Sequence, residues 1–542
     1  MEFMDQETRE ALDFQYVLNK INTLTPYGNM FKRRLRAFKL GEEDKLIGEL
    51  NKIEDLLNIG KNKEIMEELK GILSHIKDLR TSIRRGMEGF ILTEVELFEI
   101  KNFLYLIRDL SNIVEKYGIT IFEDTEIKPV EQLERLLDPE DTGISTFYIY
   151  DAYSEELKGI RKKKQNLEKE IKLGKKHIKE KIKEELNISL RPDSSAVVSK
   201  DDKELIDKLQ DYPYLSYVSE TYMTVKFAIK PTEGLKALEN QVNILKDKEE
   251  REELRIRERL SKEIGKRNRQ IYKNMGSIGR LDLLLSKVRF AIEIRGVKPE
   301  IICKRVIKIE DGIHPKVKEV LEGKNLKFTP ISLELREGVT CITGANMGGK
   351  TISLKLIGLL SAMAQHGLFV PAKSMVYGLN KFIVTSIGDM QSTDSGLSTF
   401  GGEIKTVQNA IKMSEDKGLI LIDELARGTN PEEGYAISKA IVSHLKEKSS
   451  ISLLTTHYDN VANSEEVLHL QVVGLSKLDF NSLAHEISKG DKMEIINKYM
   501  DYRLRIVQKD TPIPKDAINI ARIMGLEPGI IAEAEKELQI KY

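Results

Sequence analysis

The stretch Gly344-Ala-Asn-Met-Gly-Gly-Lys-Thr351 is the strongest indication of fold in the C-terminal half of this chain. It matches the pattern G-x-x-x-x-G-K-[ST], it follows an apolar segment that begins at Gly338, and a helical pattern runs after it from Ile352 to His366. Backbone N–H groups of such a glycine-rich turn, together with a helix N-terminus, bind phosphate oxygens. The stretch therefore predicts a strand, a phosphate-binding loop and a helix in succession.

Single positions of this loop have separate predicted roles. Lys350 is expected to neutralise β- and γ-phosphate oxygens, and Thr351 to place its hydroxyl on Mg²⁺, a cation that keeps several waters and takes few protein ligands. ATP and Mg²⁺ are therefore the predicted cofactors. The other residues predicted to bind ATP in the loop are Gly344, Asn346, Met347, Gly348 and Gly349.

Two further apolar runs end in side chains suited to phosphoryl transfer. Gly418-Leu-Ile-Leu-Ile precedes Asp423 and Glu424, and Leu453-Leu-Thr-Thr precedes His457. On its own an acidic strand end is common, and a lone histidine is usually structural. Downstream of a phosphate-binding loop, however, Asp423 is expected to hold Mg²⁺, Glu424 to deprotonate the attacking water, and His457 to contact the γ-phosphate. The predicted reaction is hydrolysis of ATP to ADP and phosphate.

The pattern of apolar residues changes near residue 296. Up to about residue 295, apolar residues recur at the three- and four-residue steps of long helices, whereas short apolar runs and glycine turns alternate from about residue 300 onward. We therefore predict a helical domain over 1–295 and an α/β domain over 296–542.

Two long helical runs in the first half are separated by a small insert. They extend from Leu157 to Leu186 and from Leu238 to Leu285, and the insert over 187–232 contains an alternating strand pattern around Val225 and Phe227. The pattern predicts an antiparallel helical pair with a β-containing tip. Its narrow apolar stripe favours a projecting lever, and two helices of an ordinary bundle are the alternative.

The amino-acid composition restricts the classes of partner that the chain is expected to bind. The 86 Lys+Arg residues balance the 86 Asp+Glu residues, so no global field attracts nucleic acid or anionic lipid, and a nucleic-acid site would have to be local. Cys303 and Cys341 lie far apart without a CxxC partner, which argues against a disulfide framework or a zinc site and fits a cytoplasmic location. No apolar run approaches the length of a membrane span, so no membrane partner is expected.

One lever helix is locally basic. A solvated helix face explains this run about as well as a phosphate-binding face. The basic residues are Lys158, Arg161 to Lys164, Lys169, Lys172, Lys175, Lys176, Lys179, Lys181 and Lys183.

The order of the motifs is that of a known family. The loop, followed by Gly367-Leu-Phe-Val-Pro-Ala372, Leu397-Ser-Thr-Phe400, Asp423-Glu-Leu-Ala-Arg-Gly-Thr429 and Thr455-Thr-His-Tyr458, resembles the ATPase domain of MutS proteins. The helical half is more loosely similar to the MutS core, lever and clamp, through Leu12-Asp-Phe14 and Thr25-Pro-Tyr-Gly28. Mismatch-reading, connector and nuclease domains are expected to be absent.

Smaller features place the resemblance within the family. The segments at 388–392 and 430–434 are more similar to the second bacterial MutS branch, which is not a mismatch corrector. Ala345 and Ile352 depart from the family pattern, as does the pair Ala426-Arg427, but none of these changes removes a phosphate contact.

The resemblance implies an ABC-like P-loop sheet with helices on both faces and an ATP site shared between two subunits. Ser398 and Thr399 would meet the γ-phosphate bound by the other subunit, and Asp389 and Gln391 would form the sensor loop. A helix-turn-helix over 512–540 would support dimerisation.

The resemblance also suggests how the adenine is bound. Phe328 and Tyr502 would sandwich the base between their rings, with simple core packing as the alternative.

Three functions remain open on the sequence alone. The first is a dimer, of identical or paralogous subunits, in which ATP moves the levers on DNA without mismatch recognition. The second is an ATP-dependent factor that reactivates a cobalamin-dependent aminomutase. The third is an ATP-locked scaffold with negligible turnover.

Overall fold

A computed structural model describes residues 2–144, 146–344, 349–387, 399–426, 429–464, 466–475, 500–508 and 516–541. This part of the chain is mixed α/β. It divides into two units. One unit comprises Met1–Ser74, Ile113–Glu126 and Gly276–Tyr542, and the other comprises His75–Asn112 and Ile127–Met275.

The N-terminal part consists of helices. Asp5 and Thr25 cap two of them by accepting hydrogen bonds from the backbone N–H groups of Thr8 and Gly28, which satisfies donors that the first turn leaves unpaired. The helices are α1 (Gln6–Ala11), α2 (Phe14–Lys20), α3 (Pro26–Arg33), α4 (Glu43–Asp55), α5 (Leu57–Lys61), α6 (Lys63–Ser74), α7 (Arg80–Met87), α8 (Glu94–Lys116) and α9 (Glu131–Leu137).

Two long helices follow and flank the insert. The first, α10 (Glu155–Leu186), begins at a Ser154 cap and ends at Asn187, which adopts the left-handed conformation with φ 52°. The insert contains β1 (Ser195–Ser199), α11 (Lys203–Gln210), β2 (Leu215–Glu220) and β3 (Thr224–Ile229). The chain then continues through α12 (Glu233–Lys266) and α13 (Asn268–Glu293).

Ion pairs between α10 and α12 confirm the predicted antiparallel arrangement. Arg161 binds Glu253 at 2.7 Å and Glu249 at 3.0 Å, while Lys175 binds Glu239 at 2.7 Å. In the direction in which residue numbers increase along α10, the numbers of the paired residues on α12 decrease. The same pairs neutralise part of the basic run on α10.

The insert forms a three-stranded antiparallel sheet in the order β1-β3-β2. The predicted alternation is confirmed in β3, where Val225 and Phe227 are buried among Ile178, Ile182 and other apolar residues.

The C-terminal half contains two sheets. The smaller has the order β4-β8-β5-β6, and the larger has the order β13-β12-β7-β11-β10-β9. Strands β9, β10, β11, β7 and β12 are parallel, and β13 is antiparallel to β12. The strands are β4 (Glu300–Ile302), β5 (Val306–Gly312), β6 (Ile331–Arg336), β7 (Gly338–Thr343), β8 (Ser374–Gly378), β9 (Ile383–Ser386), β10 (Leu419–Ile422), β11 (Ile451–Thr455), β12 (Leu468–Gly474) and β13 (Asp501–Ile506).

Strands β7, β10 and β11 are the apolar runs that the sequence predicts, and every residue in them is buried. Such complete burial is typical of parallel strands covered on both faces. The helices of this half are α14 (Pro315–Glu322), α15 (Lys350–Gln365), α16 (Thr399–Met413), α17 (Pro431–Leu445), α18 (Asp516–Met524) and α19 (Pro528–Lys541). Within the described ranges, no helix is both long and apolar enough to cross a membrane.

Candidate nucleotide site

The carboxyl ends of β7, β10 and β11 lie side by side. Ile422 is in register with Leu454, and Thr455 is in register with Ile342. The residues that follow these strands therefore gather at one edge of the sheet, where ligands of parallel sheets bind.

Asp423 accepts two hydroxyl hydrogen bonds at this edge. Thr351, in the first turn of α15, donates to Oδ2 at 2.6 Å, and Thr455, the last residue of β11, donates to Oδ1 at 2.6 Å. Both carboxylate oxygens are thus oriented by neighbouring secondary-structure elements. Oxygen donors of this kind are the ligands that Mg²⁺ prefers.

The backbone after Asp423 is unusual. Glu424 and Ala426 have φ angles of 47° and 60°, in the left-handed region that non-glycine residues seldom occupy. The N–H of Glu424 donates to Thr455 Oγ1 at 2.7 Å, and the N–H of Leu425 donates to the Thr455 carbonyl at 3.2 Å. Conformations of this kind cost on the order of 1–3 kcal/mol and cluster at functional sites, where surrounding contacts maintain them.

Lys350, His457 and Glu424 form a continuous chain of contacts. The ammonium group of Lys350, which is only 4% exposed, donates to the Gly344 carbonyl at 2.7 Å and contacts His457 Nδ1 at 3.1 Å. The Nε2 atom of His457 lies 3.1 Å from Glu424 Oε1. Because an ammonium group can only donate, Nδ1 is the acceptor in the neutral imidazole, and Nε2–H donates to the carboxylate.

Tyr502 lies against the loop. Gly349 has a φ of 79°, and a Cβ atom at this position would lie 3.0 Å from Cδ1 of Tyr502, so the tyrosine ring covers the start of α15 closely. Burial raises the pKa of Tyr502. An aromatic ring in this place offers a flat apolar surface next to the phosphate-binding loop.

Comparison with known proteins finds related sequences. Residues 340–539 match the family model described as MutS domain V. The protein named Endonuclease MutS2 from Halothermothrix orenii is 28% identical over 498 residues, which cover 84% of this chain and 58% of that relative. Its namesake from Bacillus velezensis is 25% identical over 570 residues, covering 99% of this chain and 66% of the relative. These matches show that the chain is similar to MutS proteins, with residues 340–539 matching MutS domain V.

The chain spans only part of these MutS relatives. A third, Endonuclease MutS2 from Caldanaerobacter subterraneus, is 29% identical over 485 residues, which make up 85% of this chain but 55% of the relative. None of these three names refers to an aminomutase, so they give no support to the aminomutase hypothesis.

The structure brings together the predicted MutS site residues that it describes at the loop and strand ends. Hydrogen bonds join Lys350 to Gly344 and His457, His457 to Glu424, and Thr351 to Asp423, and Gly349 immediately precedes Lys350 in the chain.

The structure describes only some of the remaining predicted site residues. Phe328 is half-buried ahead of β6, and among the described aromatic rings it does not stack on Tyr502. Thr399 begins α16. Residues Asn346, Met347, Gly348, Asp389, Gln391 and Ser398 lie outside the described residues. The roles assigned to all these residues stay predictions.

Two polar residues of the site were missed from the sequence. One is Thr455, described above. The other is His469 on β12, whose Nε2 lies 2.8 Å from Oγ1 of Thr343, the last residue before the loop. Both residues could have been predicted only from the order of strands in the sheet. Each belongs to a strand that lies next to a strand carrying a motif.

Proposed function

We propose that this MutS-like chain is an Mg²⁺-dependent ATP hydrolase whose site is completed by a second subunit, and that its nucleotide state moves the α10–α12 helical pair on DNA without mismatch recognition. One observation carries the proposal. A loop lysine, a Thr–Asp pair, a glutamate and a histidine meet at one edge of a parallel sheet.

Thr351 and Asp423 fit a magnesium site. The Thr351 hydroxyl donates its proton to Asp423, so the lone pairs of the Thr351 oxygen are available to a cation. The Asp423 carboxylate lies next to this oxygen and can bind the same cation. When bound, Mg²⁺ would neutralise charge on the phosphate oxygens. The pairing itself fixes both side chains before any ligand arrives.

Glu424 is the proposed general base. Its carboxylate is accessible only in part, with 16% of the side chain exposed, and His457 holds one of its oxygens. A carboxylate at this position can orient a water molecule and accept its proton. Lys350 would donate to the phosphates. His457 would contact the terminal phosphate through Nδ1 once this nitrogen carries a proton, because a phosphate oxygen only accepts hydrogen bonds.

Completion by a second subunit rests on the MutS resemblance. Ser398 and Thr399 would reach the partner's nucleotide, Asp389 and Gln391 would sense it, and α18 and α19 would be the helix-turn-helix that supports the dimer. Phe328 and Tyr502 are the proposed adenine contacts.

DNA is the proposed partner, and α10 offers a local surface for it. Lys162, Lys169, Lys172, Lys179 and Lys183 have no ion pair in the described part of the chain. At 3.6 residues per turn these five lie within about 100° of one helix face. Glu180 shares that face, but Lys176 neutralises it at 3.7 Å. A basic stripe of this kind suits contacts to phosphates rather than to bases.

Steady-state ATP turnover measured against protein concentration, with and without duplex DNA, tests the proposal. A shared site predicts a specific activity that rises with concentration as dimers form, and a DNA-coupled site predicts a change in rate when DNA is added. Unchanged turnover in a strictly monomeric protein would refute the shared site, and absence of turnover at every concentration would refute the hydrolase itself.

A further inference from the structure

Thr455 occupies a special position in the candidate site. Strand β11 pairs with β10 in parallel, with Leu454 opposite Ile422. The residues that come next in the chain, Thr455 and Asp423, are joined by a hydrogen bond. The threonine is fully buried. Its side chain faces the segment that carries both acids, Asp423 and Glu424.

The hydroxyl of Thr455 makes two hydrogen bonds in different directions. It donates to Asp423 Oδ1 at 2.6 Å and accepts from the backbone N–H of Glu424 at 2.7 Å. One hydroxyl can donate only once, so its proton is committed to the carboxylate and a lone pair to the amide. Short hydrogen bonds to a charged carboxylate are about twice as strong as neutral ones.

We propose that Thr455 is a positioning residue for ATP hydrolysis, because its single hydroxyl fixes both the carboxylate that would hold Mg²⁺ and the backbone of the proposed base. The inference rests on the proposed hydrolase function. It assigns no contact with substrate to Thr455. The residue acts through Asp423 and through the left-handed backbone of Glu424.

The neighbouring threonine has a different role, which makes the assignment specific. Thr456 Oγ1 accepts from the N–H of Tyr458 at 3.1 Å and so shapes the turn that carries His457. Of the two threonines, residue 455 is the one that reaches the acids. Removing its hydroxyl takes one hydrogen bond from the carboxylate and one from the amide, while the loop contacts of Lys350 remain.

The test compares Thr455→Val, which keeps the shape but loses the hydroxyl, with Thr455→Ser, which keeps the hydroxyl. For the valine variant we expect kcat to fall at least about tenfold and half-saturation by Mg²⁺ to rise several-fold, since both acids lose their orientation. The affinity for ATP measured in EDTA should change by less than about twofold, because the proposed metal-independent contacts remain. The serine variant should recover both kcat and the Mg²⁺ requirement.

A second readout does not depend on activity. The shift in Tm that Mg²⁺ adds to the ATP-bound protein should shrink in Thr455→Val and be restored in Thr455→Ser. Ser452→Ala is the matched control, since Ser452 lies buried in the same strand and its hydroxyl has no hydrogen-bond partner in the described part of the chain. It should leave all four measurements unchanged, namely kcat, half-saturation by Mg²⁺, ATP affinity in EDTA and the shift in Tm. If the valine variant does not fold, Thr455→Ala removes the same hydroxyl with less bulk.

The outcomes separate the two proposals. An active wild type whose valine or alanine variant keeps its kcat and Mg²⁺ dependence overturns the role of Thr455 alone. A serine variant as impaired as the valine variant also overturns it, because the hydroxyl would then not be the determining group. A wild type that hydrolyses no ATP overturns the proposed function as well as this inference.

Discussion

The ammonium group of Lys350 lies 3.1 Å from Nδ1 of His457 in the candidate nucleotide site. Since Nε2 of the same ring contacts Glu424, the imidazole connects the proposed phosphate-binding cation with the proposed base. Phosphate oxygens would compete with His457 for Lys350, because a charged acceptor binds an ammonium group more strongly than a neutral nitrogen does. Nucleotide binding and the environment of Glu424 are thereby linked.

Replacement of Lys350 by alanine should weaken ATP binding about 10- to 100-fold, since a hydrogen bond to a charged group contributes about 1.5–3 kcal/mol. Turnover should be lost at ATP concentrations that saturate the wild type. Fluorescent-nucleotide titration and phosphate release measure the two effects. Lys355→Ala is the matched control, because Lys355 lies on the same helix but its ammonium group is 4.0 Å from Asp13. Normal cleavage of ATP by Lys350→Ala would contradict the assignment.

Glu424→Gln should separate binding from chemistry. The amide cannot accept the proton of the attacking water, so kcat should fall by about 10²- to 10⁴-fold while ATP affinity stays within a few-fold of the wild type. Single-turnover hydrolysis and equilibrium binding provide the readouts. Glu432→Gln, in the exposed first turn of α17, should leave both unchanged. If Glu424→Gln retains full turnover, another group is the base.

Part of the site was predictable from the sequence, because its motif residues follow recognisable strands. Asp423, Glu424 and His457 each follow an apolar run, and parallel strands bring their carboxyl ends to one edge, so the motifs alone were enough to place these residues together. Thr455 and Thr456, in contrast, are adjacent residues with the same side chain. Only the register of β11 against β10 decides that Thr455 faces Asp423.

Long-range pairing explains the other gaps. Strand β8 pairs with β5 and with β4 across about seventy residues of sequence, and no local pattern encodes such a partner. The basic run on α10 is another example. Arg161 and Lys175 appear free in the sequence, but the antiparallel helix α12 supplies Glu249 and Glu239 to them.

Stability should fall in mild acid because of two buried histidines. Burial lowers the pKa of His366 and of His314 to about 4, against about 6.5 in an unfolded chain. Between these values the unfolded state binds the extra proton, so stability is complete above about pH 6.5 and declines toward pH 4. Each histidine contributes a slope of up to about 1.4 kcal/mol per pH unit.

Urea unfolding of the wild type and of His366→Gln between pH 7 and pH 4.5 checks this pH dependence. Arg9 and Lys287 also lower the pKa of His366, so both reinforce the effect. In His366→Gln, the free energy of unfolding should depend less steeply on pH than in the wild type, whatever the absolute stability of the variant. Replacement of the exposed His75 by glutamine should not reduce this slope. Equal slopes in all three proteins would show that His366 does not titrate as expected.

A close approach of two helices predicts a stability difference between two glycines. A Cβ atom at Gly265 on α12 would collide with the Gly86 carbonyl oxygen on α7 and would lie 3.2 Å from the Met87 nitrogen. Gly265→Ala should therefore lower the free energy of unfolding by about 1–3 kcal/mol. Gly159→Ala on α10 has open space around it in the described structure and should raise helix stability by up to about 1 kcal/mol. Urea denaturation followed by circular dichroism distinguishes the two, and a tolerated Gly265→Ala would argue against the close contact.

The basic stripe on α10 predicts a salt-dependent affinity for DNA. If Lys169, Lys172 and Lys183 bind phosphates, their combined replacement by glutamine should weaken duplex binding and reduce the slope of log K against log salt by about 0.9 for each phosphate that is no longer neutralised. A matched triple variant of Lys45, Lys70 and Lys373 removes the same charge from exposed positions outside the α10–α12 pair, so net charge alone cannot explain a difference. Fluorescence anisotropy from about 50 to 200 mM salt measures both slopes. Equal slopes for the two triple variants would place the DNA-binding surface outside this stripe, while no binding by the wild type at the lowest salt would exclude DNA as the partner.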